Sequence, residues 1–375
     1  MANVNVGLIG SGFMGRAHAY ALRAAPGVFE LPRVPVLELL ADIDIKAAQR
    51  ASAALGFARF TDDWHALVGD PAVDLVDITS PNHLHKEMAL AAIAHGKPVY
   101  CEKPLAPTAT AAKQMVDAAK AAGVVTMVGF NYLKNPMVLA AREMIRAGEI
   151  GEVIGYRGCH FEDYMIDAEA PWTWRLDPAG GDGVVGDLMS HAISLARFLV
   201  GDIAEVMADS DTAIKTRPVA PGSAERRAVE VSDQARALVR FADGARGTLE
   251  ASWVATGRKM QLAFEVTGTK GALILDHERL NELRYYTTGQ PSGREGFKTL
   301  LASAGHPPYA NFTPAPGHQI GFNEVKMIEV AALMAALAGE APAFPDFREA
   351  WEVQRVVDAT VRAAAEQRWV PIAEV

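Results

Sequence analysis

The sequence predicts a two-domain α/β chain: a doubly wound parallel domain over residues 1–130, then an α+β domain over 131–375. Three observations carry this. A length of 375 residues exceeds one ordinary domain. The first 130 residues alternate short, nearly continuous apolar runs with longer helical patterns, as expected of a parallel sheet covered on both faces. Beyond Phe130 the pattern changes to period-two runs joined by hairpin turns.

In the first domain, residues 4–9 are the first strand and 13–25 the first helix, followed by a strand at 34–41 and a helix at 46–55. Strands at 75–79, 99–101 and 124–130 alternate with helices at 83–95 and 108–122. The second domain opens with a helix at 136–147, where Pro136 suits a first-turn position. Ala235, Ala237, Val239 and Phe241 recur at period two in a strand at 234–241, and Ala242-Asp243-Gly244 turns the chain into 247–254. A second hairpin joins 261–267 to 272–275, so this half reads as an antiparallel or mixed sheet with a few helices on one face. Residues 212–227 and the proline-rich 287–317 read as loops, and 347–367 as an amphipathic helix.

Composition narrows the function classes. Half the residues are hydrophobic and 22% are charged, which supports a packed core and excludes a mainly disordered chain. The formal charge of −9, with no Lys/Arg cluster, argues against nucleic acid and anionic membranes as partners. Two cysteines, Cys101 and Cys159, make no disulfide framework and fit a reducing compartment. No apolar run approaches the roughly 18–20 residues that span a bilayer. Met1-Ala2-Asn3 enters a strand without a signal-type segment, so a cytoplasmic protein is expected.

Gly10-Ser11-Gly12-Phe13-Met14-Gly15 joins the first strand to the first helix. In a G-x-G-x-x-G turn of this kind, Gly10 permits the tight bend and Gly12 lets the backbone approach a pyrophosphate. Gly15 lets helix and strand pack closely, and the helix N-terminal amides face the anion. Asp42, at the end of the second strand, suits the adenosine ribose hydroxyls and repels a 2′-phosphate. It follows Gly15 by 27 residues because the insert 26–35 holds three prolines. No arginine follows it, so NAD is favoured over NADP, although Lys46 stands nearby.

Two further strand ends carry polar chemistry: Thr79-Ser80-Pro81-Asn82-His83-Leu84-His85 and Cys101-Glu102-Lys103-Pro104. Lys103 directly follows a buried strand, where it would point into the cofactor crevice and polarise a hydroxyl or carbonyl. Pro104 holds Lys103 out of helical geometry and is a candidate for a cis peptide bond. His83-x-His85 is also a metal-ligand pattern of barrel hydrolases, but the alternation is not that of an eight-fold barrel, so no metal is expected. Asp187 and His191 are four apart, which on an α-helix gives them one face. Histidine has the basicity to accept an alcohol proton, and a carboxylate can orient it. An Asp cap and a core histidine would show the same spacing.

With Gly10–Gly15, Asp42, Pro81-Asn82-His83-Leu84-His85, Glu102-Lys103-Pro104, Gly129-Phe130-Asn131-Tyr132 and Asp187-x-x-x-His191 in order, the chain resembles the glucose–fructose oxidoreductase / inositol dehydrogenase family over essentially its whole length. The resemblance implies a Rossmann domain followed by a domain with a large, open, mainly antiparallel sheet, through which members form homodimers or homotetramers. It implies a catalytic group of Lys103, Asp187 and His191. A cofactor site of Gly10, Gly12, Phe13, Met14, Gly15, Asp42, Ser80, Asn82, His85, Glu102, Lys103 and Asn131 combines the Gly loop and strand ends with the motif positions that line the nicotinamide in such proteins.

More narrowly, Trp172-Thr173-Trp174-Arg175, Pro314-Ala315-Pro316-Gly317-His318 and Gly321-Phe322-Asn323 resemble the subgroup that includes levoglucosan dehydrogenase, which oxidises a ring hydroxyl of a sugar or anhydrosugar. Tyr132, Glu162, Trp174, Arg175 and His318 join Lys103, Asp187 and His191 as substrate-pocket candidates, since aromatic rings stack on sugar faces and arginine donates to hydroxyls. Ser194 and Lys134 depart from an aspartate and an arginine common in the family. The expected activity is hydride transfer between NAD and a secondary hydroxyl of a cyclic sugar, anhydrosugar or polyol. Two alternatives stay open: a non-catalytic sugar- or dinucleotide-sensing regulator, and an imine or enone reductase of the same family.

Overall fold

A computed structural model describes residues 2–375. The chain divides into two compact units, the first running to Lys134 and taking in Ile320–Glu352, the second comprising Asn135–Gln319 and Val353–Val375. The first unit thus runs a little past residue 130 and regains a segment from far along the chain.

The first unit holds a six-stranded parallel sheet built from β1 (Ala2–Ile9), β2 (Arg33–Ala41), β3 (Arg59–Thr61), β4 (Leu75–Ile78), β5 (Val99–Cys101) and β6 (Thr126–Val128), in the order β3-β2-β1-β4-β5-β6. The crossovers are α1 (Phe13–Ala24), α2 (Ile45–Leu55), α3 (Trp64–Gly69), α4 (His85–Ala94) and α5 (Ala109–Ala122). Strand order reverses between β1 and β4, which opens a crevice at the carboxyl ends of the strands. Local chemistry sets the helix ends. Asp44 and Thr108 accept from the amides of Ala47 and Ala111 at the starts of α2 and α5, and left-handed Gly56 and Gly123 stop them. The expected helix at 83–95 begins as a 3₁₀ turn, Asn82–Leu84, before α4.

The second unit carries α6 (Pro136–Arg146) and α7 (Ser190–Leu199) beside a nine-stranded sheet. Its strands are β7 (Val153–Phe161), β8 (Ile203–Asp211), β11 (Gln234–Phe241), β12 (Arg246–Ser252), β13 (Gln261–Gly268), β14 (Gly271–Asp276), β15 (Glu282–Thr287), β16 (Lys298–Leu301) and β17 (Val370–Pro371), in the order β16-β15-β14-β13-β7-β12-β11-β8-β17. Only β7 and β12 pair in parallel, so the sheet is mainly antiparallel. Along β11, Ala235, Ala237, Val239 and Phe241 are buried while Arg236 and Leu238 are exposed, in line with the period-two pattern. α7 packs on β7 and β13, and α6 on β14 and β15.

Two expected loops contain strands. Residues 212–227 lead into a hairpin of β9 (Thr216–Pro218) and β10 (Arg226–Ala228), because Arg217 is fully buried and donates to the carbonyls of Met165 and Asp167. Within 287–317, β16 pairs with β15, and Tyr309–Asn311 forms a 3₁₀ turn.

The chain returns to the first unit as α8 (Phe322–Leu337), which packs on α1 and the 3₁₀ turn Asn131–Lys134. The last helix, α9, spans Phe347–Glu366.

Candidate active site

In the first unit, the glycine turn takes the form its sequence requires. Gly10 has φ of +98°, a left-handed conformation, and its amide donates to Ala41 O at 2.8 Å. A Cβ on Gly15 would lie 2.1 Å from Gly10 O and 2.9 Å from Thr79 Oγ1, so only glycine closes the turn onto β4. Gly12 caps α1, and a Cβ there would meet nothing within 4 Å. The α1 amides therefore open onto a cradle that a side chain would fill and that a pyrophosphate fits. Phe13 is 67% exposed and stacks on Phe322 of α8 at 5.9 Å, and Tyr132 adjoins the same ring at 6.3 Å. Met14, half-buried, completes the first turn.

Asp42 sits directly after β2 and is locked to the turn. Its Oδ2 accepts from Ser11 N at 2.9 Å and from the Ser11 hydroxyl, and its Oδ1 accepts from Ile43 N at 2.7 Å. At the next strand end, the buried His85 ring spans two loops, with Nε2 2.9 Å from Ser80 O and Nδ1 2.9 Å from Pro104 O. Burial pushes His85 below its ordinary value, whereas full bonding to two carbonyls would need both nitrogens protonated. Set between the two carbonyls, the His85 ring is a strut between the Ser80 and Pro104 loops. Ser80 Oγ reaches Met88 Sδ at 3.3 Å, and Asn82 opens the adjoining turn half-buried.

The Lys103–Pro104 bond is cis, and Lys103 N donates to Glu102 Oε2 at 3.1 Å. Asn131 is buried, and its Nδ2 has no hydrogen-bond partner among the described residues. An orphaned donor at the carboxyl edge of the sheet suits the carboxamide of a nicotinamide.

Behind Glu102 lies a buried charge cluster that the sequence did not announce. His18 of α1 places Nδ1 2.9 Å from Asp77 Oδ1 and Nε2 2.8 Å from Glu102 Oε1. Lys326 of α8 donates to Glu102 Oε1 at 3.1 Å and Glu329 Oε2 at 2.7 Å, and Tyr100 OH also donates to Glu329. Burial presses His18 down, but the charge of Asp77 and the bonds to Asp77 and Glu102 outweigh it and lift its pKa to about 9. Burial would raise Glu102, yet Lys326 and His18 hold its carboxyl well below the usual carboxylate range. The one available signal was Lys326 and Glu329, a charged i, i+3 pair in a helix that is apolar at every other position beyond its first turn.

The second unit supplies another polar group. The spacing of Asp187 and His191 suggested one α-helical face, but Val185–Met189 is a π-turn that runs into α7 at Ser190. That wider turn re-aims Asp187 relative to His191. Asp187 Oδ2 accepts from Tyr164 OH at 2.7 Å and lies 3.7 Å from Arg175 Nε. Burial and the Asp187 charge push the Tyr164 phenol well up, so it donates at all ordinary pH.

His191 is buried, with His160 edge-on at 5.3 Å. His160 in turn places Nδ1 3.1 Å from Leu188 O and Nε2 3.0 Å from Glu162 Oε1. Buried His277 is pushed down to about 3, by desolvation and then by His160, and stays neutral. The guanidinium of Arg175 stacks on Trp174 at 4.5 Å. His318 lies on an exposed segment, near Thr313 Oγ1 at 3.3 Å. Tyr164 and His160 were not among the sequence candidates, since both lie on or beside β7, a strand whose glycines hide its alternation.

A Rossmann sheet, a glycine cradle and an acid after β2 define a dinucleotide-binding oxidoreductase fold. Residues 4–130 match the oxidoreductase family with an NAD-binding Rossmann fold, and residues 138–274 match the GFO/IDH/MocA C-terminal domain. The chain belongs to the GFO/IDH/MocA oxidoreductase family. It is 37% identical to a levoglucosan dehydrogenase of Pseudarthrobacter phenanthrenivorans, with 100% of each chain covered. It is similar to a solved levoglucosan dehydrogenase in complex with NADH and levoglucosan, at 39% identity and a TM-score of 0.95 over 99% of both chains. An NAD-binding oxidoreductase from Klebsiella pneumoniae aligns at 46% identity and a TM-score of 0.95, again over 99% of both chains.

Proposed function

We propose that this chain is an NAD-dependent dehydrogenase that oxidises a secondary ring hydroxyl of a neutral cyclic sugar, an anhydrosugar such as levoglucosan foremost, or a polyol. The observation that carries the reading is the cradle of Gly10, Gly12 and Gly15 with Asp42 bonded across it to Ser11, in a chain alike end to end to a levoglucosan dehydrogenase. NAD supplies the hydride acceptor. The amides of Phe13 and Met14 hold its pyrophosphate and Asp42 its adenosine ribose, while Ser80, Asn82, His85, Glu102 and Asn131 build the nicotinamide edge.

His191 accepts the hydroxyl proton, and Lys103 donates to the developing alkoxide. Asp187, tied down by Tyr164 and Arg175, steadies the charge that forms on His191. Tyr132, Glu162, Trp174, Arg175 and His318 meet the sugar. A net charge of −9 with little basic clustering favours a neutral substrate over a phosphorylated one.

The residues up to 130 serve as the cofactor domain, and 131–375 as the substrate and oligomerisation domain. A homodimer or homotetramer forms through the nine-stranded sheet, whose outward Leu238 is 51% exposed between charged neighbours. The free cysteines and the absence of a helix long and apolar enough to cross a membrane, among the described residues, suit a cytoplasmic enzyme.

The test is a panel of levoglucosan, monosaccharides and inositols with NAD or NADP at mildly alkaline pH, followed by absorbance of the reduced cofactor. NAD-dependent oxidation of at least one ring alcohol is expected. Activity with NADP alone refutes the role of Asp42, and silence on every substrate refutes the dehydrogenase.

A further inference from the structure

The cluster around His18 is buried, and of its members only Glu102 has a part in the chemistry above. Counting donors sets its charge. Both His18 nitrogens face carboxylate oxygens, which only accept, so the ring satisfies both only as imidazolium. The groups that face it are Asp77 from β4, Tyr100 stacked at 4.6 Å from β5, Glu102 from the turn after β5, and Lys326 from α8. Glu329 lies beyond Lys326, and Lys103 adjoins Glu102. Three buried carboxylates thus face two buried cations, immediately behind the strand end where the nicotinamide edge is assigned.

We propose that His18 sets the relative affinity of this site for the oxidised and reduced cofactor, its imidazolium opposing the cationic oxidised nicotinamide and its neutral form favouring it. The inference rests on the NAD reading above. The oxidised ring carries a unit positive charge that hydride transfer removes, so a protein charge beside it acts on one redox form and not the other. Adenosine and pyrophosphate are common to both forms, so every charge acting on them cancels in the ratio of affinities. His18, Asp77, Lys326 and Glu329 have no exposed surface and Glu102 only 4%, so solvent screens the cluster weakly. His18 is the cation there that gives up its proton within a dehydrogenase's working range, near pH 9, since burial is outweighed by Asp77 and Glu102.

The experiment titrates the full chain with NADH by fluorescence, and with NAD by competition, from pH 7 to 10. The ratio of Kd for NADH to Kd for NAD should rise roughly three- to tenfold, the scale of one buried unit charge at an effective dielectric near 20. In His18→Gln the ratio should already be raised at pH 7 and stay flat. Lys103→Met should keep the rise; if it abolishes it, Lys103 is the titrating group and the proposal falls. A flat ratio in the native chain, or a persisting rise in His18→Gln, also overturns it. Should His18→Gln fail to fold, the native and Lys103→Met titrations decide. If neither dinucleotide binds, the NAD reading fails instead.

Discussion

Gly12 and Gly15 stand three residues apart in one turn, and substitution by alanine should separate binding from folding. At Gly15 the new Cβ would sit 2.1 Å from Gly10 O and 2.9 Å from Thr79 Oγ1. Ordinary carbon–oxygen contact needs more than 3 Å, so the Gly10 carbonyl or the start of α1 must shift by about an ångström. Neither is a flexible side chain, and overpacking of this kind costs on the order of 1–3 kcal/mol. At Gly12 the φ of −65° and ψ of −163° suit any residue, and the Cβ meets nothing within 4 Å. Gly12→Ala should therefore leave stability unchanged or raise it by about 0.5 kcal/mol through reduced freedom of the unfolded chain. Its methyl group would instead fill the cradle, and NADH affinity should fall at least tenfold. Calorimetric melting of the cofactor-free chain and NADH fluorescence titration measure the two effects separately. Native-like NADH binding by Gly12→Ala, or native stability of Gly15→Ala, would refute the assignment of this turn.

Asp42→Ala removes the acceptor for Ser11 and the charge that repels a 2′-phosphate, so kcat/KM with NAD should fall at least tenfold while the NADP-to-NAD ratio rises; an unchanged ratio counts against it. Tyr164→Phe deletes a hydrogen bond to a carboxylate worth about 1.5 kcal/mol, so kcat/KM for the best sugar should drop about tenfold with NADH affinity unchanged. Asp182 is raised from 3.8 to about 7, by burial and then by the charge of Asp358, so its ionisation cost is absent below pH 3.8 and complete above 7. Asp182→Asn should raise the melting temperature by several degrees at pH 8 and not at pH 4, as seen in paired thermal scans. His18, lifted from 6.5 to about 9, contributes stability that is whole below pH 6.5 and lost as pH rises through 9. The native melting temperature should accordingly fall between pH 7 and 10 more steeply than that of His18→Gln.

The parallel strands were legible because β1, β2, β4 and β5 are nearly continuous apolar runs, and only a doubly covered sheet buries such runs on both sides. β7, central in the larger sheet, was not. Its buried face carries Tyr156, Gly158 and His160, so its alternation is not one of apolar against polar residues. A Cβ at Gly158 would lie 2.7 Å from the Tyr156 ring of the same strand and 3.2 Å from Leu249 of the paired β12, a reason for glycine there that only the folded structure reveals. α8 is apolar at twelve of its sixteen positions, spread over all sides, and shows no helical stripe because it is buried almost all round. Arg217 falls in the segment 212–227 that reads as a loop, yet its partners are carbonyls some 50 residues earlier in the chain. The Gly loop, Asp42 and Lys103 were legible for the opposite reason: their chemistry is local to a strand end. The mutual aim of Asp187 and His191 was not, since a π-turn leaves no reliable trace in residue spacing.

That contrast bears on why the buried cluster exists. Each charge taken out of water costs several kcal/mol unless paired, and an ion pair is seldom more stable than apolar residues of the same shape. Lys326 and Glu329 occupy positions on α8 that its neighbours Val325, Met327, Ile328 and Val330 fill with apolar side chains. Stability alone therefore gives no reason for a lysine there. Position does, because Lys326 and His18 share one oxygen of Glu102 while the other takes the backbone N–H of Lys103. A carboxylate gripped on one side by two cations keeps one rotamer and one charge state, and the turn that carries Lys103 is anchored to it. α8, more than 200 residues further along the chain, thus supports the strand end on which the proposed catalytic lysine stands.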